Sequence, residues 1–168
     1  MGTMRSVRIK PNPAGKDRTR RGATAAQLGA EWVDLKNEGT TAVLLNGLSL
    51  FHVAYSGATD NGTWERVTGF AGQLGAGQVM RVHSGSGPVS VLNQADLQGA
   101  DVHVFTNRDN YVWNNDRGDC SALQKDGESE KSDQCWYDGK PPEGVVLVRV
   151  NNKFLVSASS MAMAGSRR

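Results

Sequence analysis

The chain has 168 residues, of which 38% are hydrophobic, and its 20 glycines are scattered without a fixed period. This length and composition suit one domain with a hydrophobic core, and they indicate many turns rather than a disordered chain. No apolar stretch approaches the roughly 18 residues of a membrane-spanning helix, so we predict no membrane span. The net charge is only +2, but it is unevenly distributed.

The first 21 residues form a strongly basic segment. Seven basic side chains lie there against a single acidic residue, Asp17. A basic arm on a mildly acidic body is expected to attract phosphates or acidic polymers. A solvated terminus is the simpler interpretation, because no aromatic residues are interleaved with these charges. The candidate contacts to an anionic partner are Arg5, Arg8, Lys10, Lys16, Arg18, Arg20 and Arg21.

Short β-favouring segments alternate with turn signals along the chain, and helical periodicity is weak. Residues 25–30 allow one helical turn, and residues 145–158 predict a final hairpin that turns at Asn151 and Asn152. The other predicted strands are 7–10, 31–36, 42–45, 48–55, 64–70, 79–83, 102–105, 111–113, 120–125 and 134–137. Many short strands with frequent turns predict an all-β protein with a β-sandwich fold.

Residues 111–124, YVWNNDRGDCSALQ, concentrate polar side chains between an aromatic pair and a cysteine. Their oxygen atoms suit calcium, but the spacing of a calcium-binding loop is missing and Arg117 is a poor neighbour for a cation. Arg117-Gly118-Asp119 also spells an adhesive tripeptide, and adhesive use would need an exposed tip. The favoured interpretation is a turn in which the Asn and Asp side chains bond their own backbone.

No motif in the sequence indicates an enzyme. His52, His83 and His103 fall in predicted strands and could share a metal ion, although half-buried strand residues are the simpler interpretation. Gly85-Ser86-Gly87 lacks the strand–helix context of a nucleophile turn, and no phosphate-binding loop occurs. No acidic residue sits in an apolar run that would raise its pKa. We therefore predict no catalytic residues, no metal and no cofactor.

The two cysteines, Cys120 and Cys135, lie symmetrically about Gly127-Glu128. If the flanking strands form a hairpin that closes there, the cysteines face each other within bonding reach. A disulfide across that loop of about 16 residues is worth roughly 3 kcal/mol. Two reduced thiols are the alternative. The disulfide is favoured and would suit an exported protein, so we expect an extracellular or cell-envelope location, with the cytoplasm as the alternative.

Several stretches, in their order along the chain, resemble the lamin tail domain, an immunoglobulin-like β-sandwich. VRIKPNPAGKD resembles its first strand and loop, and EWVDLKNEGTTAVLLNGLSL resembles the strands and turn that follow. AGQLGAGQVMRVHSGSG and VWNNDRGDCSALQ match two further segments, and SDQCWYDG resembles the closing strand of the bacterial members. The family usually has Trp where this chain has Leu48, so core packing is expected to differ there.

The resemblance implies an immunoglobulin-like β-sandwich over residues 6–139. Residues 1–5 are then a tail, residues 140–158 an additional C-terminal β-hairpin extension packed on the domain or on a partner, and residues 159–168 a flexible C-terminus. Trp113 becomes a core or edge anchor. The hydrogen-bonded turn into the Cys120 strand would be formed by Asn114, Asn115, Asp116 and Asp119.

In function, the resemblance implies a non-enzymatic binding or scaffolding module that is exported and engages a protein or another macromolecule. One alternative is a nucleic-acid-binding protein that uses the basic N-terminal arm. Another is a structural domain that self-associates through the C-terminal hairpin. The segments VVLVRV and KFLV are apolar on both faces, so we expect them to be covered by the domain or by a partner.

Overall fold

The computed structural model describes residues 3–16 and 22–157, and the all-β fold class predicted from the sequence is confirmed. Two short helices lie between strands, Ala25–Gly29 (α1) and Gln94–Leu97 (α2). No helix in these ranges is long and apolar enough to cross a membrane. The strands are Met4–Lys10 (β1), Trp32–Asn37 (β2), Val43–Leu44 (β3), Leu48–Ala54 (β4), Thr63–Gly69 (β5), Gln73–Leu74 (β6), Val79–His83 (β7), Val102–Phe105 (β8), Asp119–Lys125 (β9), Asp133–Tyr137 (β10), Leu147–Val150 (β11) and Lys153–Val156 (β12).

Ten of these strands form one curled sheet in the order β5-β4-β9-β10-β12-β11-β1-β2-β7-β8, and β3 pairs with β6 separately. Neighbouring strands are antiparallel except in the pairs β10–β12 and β7–β8. The hairpin of β11 and β12, which turns at Asn151 and Asn152, stands between β10 and β1. It therefore joins two four-stranded segments into a continuous sheet.

The main hydrophobic core lies inside the curl, where alternate side chains of the strands converge. Ile9, Leu50 and Leu123 are fully buried there. Phe154 of the hairpin is also buried in this core. The hairpin thus contributes to the core as well as to the sheet.

An ion pair between Arg149 and Asp133 holds the hairpin at its junction with the sheet. Nη1 of Arg149 lies 3.0 and 2.9 Å from the two carboxylate oxygens of Asp133. The same nitrogen donates to the carbonyl oxygen of Ser6 at 3.0 Å, and the Ser6 N–H donates to Asp133 at 2.8 Å. These contacts join β1, β10 and β11 where β11 stops pairing with β1.

The structure differs from the predicted elements in three places. β1 begins at Met4, inside the range predicted as a tail, and β6 lies in a predicted loop. The predicted strand at 111–113 is wrong, because this segment is a loop. The N–H groups of Val112 and Trp113 donate to the side chain of Glu31 instead of to a neighbouring strand.

Candidate functional site

The turn that follows Trp113 is organised by the buried carboxylate of Asp119. Oδ1 accepts from the N–H groups of Val53 and Cys120 at 2.7 and 2.8 Å. Oδ2 accepts from the backbone and side-chain nitrogens of Asn114 at 3.1 and 2.9 Å. Trp113 itself is buried in the main core. This part of the polar stretch therefore ties a loop to β4 and β9 and has the arrangement of a structural turn.

The rest of the polar stretch is also bound within the fold, apart from the exposed Asp116. The side-chain amide of Asn115 donates to Asn12 at 3.1 Å. The guanidinium of Arg117 lies 3.9 Å from the ring centroid of Tyr55 and donates to a neighbouring loop carbonyl. Since Asp119 is only 1% exposed, the tripeptide does not present the exposed tip that adhesive use requires.

A buried ion pair between Glu31 and Lys16 lies next to the loop that contains Val112 and Trp113. Nζ of Lys16 lies 2.6 Å from Oε2 of Glu31, and the N–H of Val112 donates to Oε1 at 2.7 Å. Burial raises the pKa of Glu31, while Lys16, the Ser84 hydroxyl and Val112 oppose that shift. Glu31 follows Gly29 and Ala30 rather than lying within an apolar run, so no sequence pattern predicted this pKa shift.

His52 lies between two carboxylates. Its Nδ1 is 2.8 Å from Oδ2 of Asp119, and its Nε2 is 3.2 Å from Oε1 of Glu65. Burial alone would lower the pKa of His52, but the hydrogen bond and charge of Asp119, followed by those of Glu65, raise it above its ordinary value. Both ring nitrogens of His52 are therefore engaged by carboxylates in this structure.

The other two histidines form a pair on the outer face of β7 and β8. Nε2 of His83 lies 2.8 Å from Nδ1 of His103, and Nδ1 of His83 contacts the Gly29 carbonyl at 2.6 Å. Burial lowers the pKa of His83 to about 4, and burial followed by the charge of Arg81 lowers that of His103. Within residues 3–16 and 22–157, no group of three or more His, Cys, Asp or Glu side chains is placed to hold a metal ion.

The predicted disulfide between Cys120 and Cys135 is wrong, because both thiols are free. Cys120 lies opposite Trp136, and Cys135 lies opposite Ser121, one residue away from the symmetric register. Successive strand side chains point to opposite faces, so Cys135 joins the main core and Cys120 faces outward. Burial raises the pKa of both thiols, that of Cys135 to about 12. The expectation of export therefore loses the support of the disulfide and rests on the family resemblance alone.

The described part of the basic arm is folded into the domain. Four of its seven basic residues contact carboxylates, and Lys16 is almost completely buried. Arg18, Arg20 and Arg21 lie outside the described residues. The ion pairs are Arg5–Glu38, Arg8–Asp34, Lys10–Asp96 and Lys16–Glu31.

Two tryptophans form an exposed aromatic surface on the outer side of the sheet. Trp64 of β5 lies opposite Val53, and Trp136 of β10 lies opposite Cys120. The two rings lean toward each other over β4 and β9, and their centroids are 5.9 Å apart with 52° between the planes. Val53 and Cys120 are buried on this side of the sheet, whereas Trp64 and Trp136 are 39% and 41% exposed.

A lysine and a cleft adjoin these rings. Nζ of Lys131 lies 4.8 Å from the ring centroid of Trp64 and 4.6 Å from that of Phe51. Trp64 and Lys131 line a cleft of about 380 Å³ together with Ser129, Glu130 and Gln134. The tryptophan face is defined as Phe51, Trp64, Lys131, Gln134 and Trp136.

The tryptophan face was not predicted from the sequence, although a signal for half of it was present. In β10, Trp136 lies between the buried residues Cys135 and Tyr137. Because side chains alternate between the two faces of a strand, this pattern predicts that the tryptophan faces solvent. Its approach to Trp64 depends on the order of the strands, which the alternation alone does not reveal. Comparison with known proteins adds no assignment, since no protein-family model and no curated protein matches the chain.

Proposed function

We propose that this protein is a non-enzymatic binding module of lamin-tail type that engages a macromolecular partner through the tryptophan face. The exposure of Trp64 and Trp136 on a rigid sheet is the observation that carries the proposal. Toward the hairpin, Lys153 lies opposite Trp136, and beyond it Leu155 and Val150 are 42% and 50% exposed. Aromatic side chains are enriched at binding surfaces, and contiguous exposed apolar groups mark such surfaces.

The lamin-tail type is supported by the turn after Trp113 and by the arrangement of the strands. Two four-stranded segments enclose the main core, as the two layers of an immunoglobulin-like sandwich would. The hairpin then connects these layers along one side.

The absence of catalysis is part of the proposal and is supported by the chemistry of the candidate groups. Both nitrogens of His52 are engaged by carboxylates, and both cysteines are buried with raised pKa values. A buried thiol with a raised pKa is a poor nucleophile because so little of it is thiolate.

The test measures retention of polymers on the immobilised full chain. The polymers are neutral polysaccharides, single- and double-stranded DNA, and the chain itself. We expect at least one class to be retained and Trp136→Ala to weaken that retention by about tenfold or more. Leu44→Ala, which alters a side chain that is 62% exposed on β3, should leave retention unchanged.

Two results would contradict the proposal. One is the absence of retention for every polymer class. The other is retention that Trp136→Ala leaves unaltered while joint replacement of Arg18, Arg20 and Arg21 by Ala, which leaves β1 in the sheet, abolishes it, because the basic arm would then be the binding element.

A further inference from the structure

The cleft beside Trp64 contains a specific mixture of chemical groups. It brings together one indole ring, the Ser129 hydroxyl, the Glu130 carboxylate, the Lys131 ammonium and the Gln134 amide. Its volume of about 380 Å³ falls in the usual range for small-molecule sites. We propose that this cleft binds a neutral polysaccharide of β-1,4-linked pyranose units, an inference that rests on the proposed binding function.

The indole of Trp64 provides the apolar part of the site. Equatorially substituted pyranose rings present a flat face of C–H groups, which can bury apolar area against an aromatic ring. Trp136 and the Lys131 ammonium both lie against the Trp64 ring, and the 39% of Trp64 that remains exposed is the part available to a sugar ring. The ring is therefore held in place before a ligand arrives, which reduces the entropy lost on binding.

The polar groups of the cleft favour a neutral ligand with many hydroxyl groups. Gln134 and Ser129 can both donate and accept hydrogen bonds, Lys131 donates and Glu130 accepts. One cation and one anion leave the cleft without net charge. Including the neighbouring cleft, Arg66, Lys125 and Lys131 are balanced by Asp126, Glu128 and Glu130, so the surface offers a polyanion such as a nucleic acid no excess of positive charge.

A second cleft indicates a polymer rather than a single sugar. It has a volume of about 220 Å³ and is lined by Phe51, Arg66 and Gln124, among others. Lys131 connects the two clefts, since its Nζ lies over Phe51 and donates to Oε1 of Gln124 at 2.6 Å. Successive sugar units can therefore occupy neighbouring subsites along the tryptophan face.

Calorimetric titration of the full chain with cellohexaose and chitohexaose tests this inference. We expect binding of at least one hexasaccharide, with affinity reduced about tenfold or more by Trp64→Ala. Gln134→Ala should reduce affinity about three- to tenfold, and this exposed residue can be replaced without opening the core. Leu44→Ala serves as the control and should bind as the wild type does.

The inference is overturned if neither hexasaccharide binds at millimolar concentration, or if both Trp64→Ala and Gln134→Ala bind as well as the wild type. Binding of heparin alone would also overturn it, because the ligand would then be a polyanion. Retention of DNA or protein that depends on Trp136, without any glycan binding, would overturn this inference and leave the proposed function in place.

Discussion

At the scale of single residues, the fold depends on a few buried polar side chains that organise loops. The carboxylate of Asp119 forms hydrogen bonds with His52, with the N–H groups of Val53 and Cys120, and with Asn114. Glu31 does the same for Lys16, Ser84 and the N–H groups that follow Tyr111. Each carboxylate accepts hydrogen bonds from buried donors that would bind water in the unfolded chain. Removing the carboxylate charge therefore leaves several of these buried donors unsatisfied.

Replacement of Asp119 by Asn should therefore be strongly destabilising. The amide has one acceptor oxygen where the carboxylate has two, and its NH₂ group would face the Asn114 or the Val53 donor. We expect the free energy of unfolding in urea to fall by about 3 kcal/mol or more. Asp116→Asn, in the same turn but exposed, is the control and should change stability by less than about 0.5 kcal/mol. Equal effects of the two substitutions would contradict the role assigned to Asp119.

The pair of His83 and His103 should make the protein sensitive to acid. The pKa of His83 is about 4 in the folded state against an ordinary value of 6.5, so the unfolded chain takes up a proton first as the pH falls. The contribution of neutral His83 to the free energy of unfolding is at its full value above pH 6.5. It decreases progressively as the pH falls toward 4. We expect about 2 to 3 kcal/mol less stability at pH 4.5 than at pH 7, measured by urea unfolding.

His83→Gln separates this effect from other titrations. The variant should lose most of the difference between the two pH values, because Gln does not titrate. His52 acts in the opposite direction, since its raised pKa favours the folded state at low pH. An unchanged pH dependence in His83→Gln would show that other groups cause the acid sensitivity.

At the scale of elements, strand register decides what each side chain does. Strand positions could be predicted from alternation, and the hairpin at Asn151 and Asn152 was found in this way. The register between strands could not be predicted, because the loop between β9 and β10 is compatible with several pairings of the two strands. The true pairing is one residue away from the symmetric one, and this shift places Cys120 and Cys135 on opposite faces.

The thiols should consequently react only after unfolding. Both cysteines are fully buried and have raised pKa values, so the folded protein contains almost no accessible thiolate at pH 8. We expect a colourimetric thiol reagent to modify neither cysteine in the folded protein and both in concentrated urea. A mass two hydrogens lower after purification without reductant, together with no reaction in urea, would instead indicate a disulfide.

At the scale of the whole molecule, the all-β class could be predicted but the order of the strands in the sheet could not. Short alternating segments identify strands locally, whereas β1 pairs with β11 across nearly the whole chain. The hydrogen bond from Arg149 to the Ser6 carbonyl and the meeting of Trp64 with Trp136 have the same origin. Such features come from pairings between distant segments, and a single sequence contains no periodic signal for them.

The C-terminal hairpin should therefore be required for the folded state. Removing residues 145–168 takes Phe154 and Leu147 from the core and leaves the facing edges of β1 and β10 without partners. Loss of two large core side chains costs about 4 kcal/mol or more, and unpaired strand edges promote association.

We expect the shortened chain to unfold at a much lower urea concentration and to sediment as aggregates. Removal of residues 158–168 alone is the matched control, because β12 ends at Val156 and the sheet stays whole. If the chain without residues 145–168 unfolds at the same midpoint as this control and remains a monomer, the hairpin is an accessory to the sheet rather than the element that completes it.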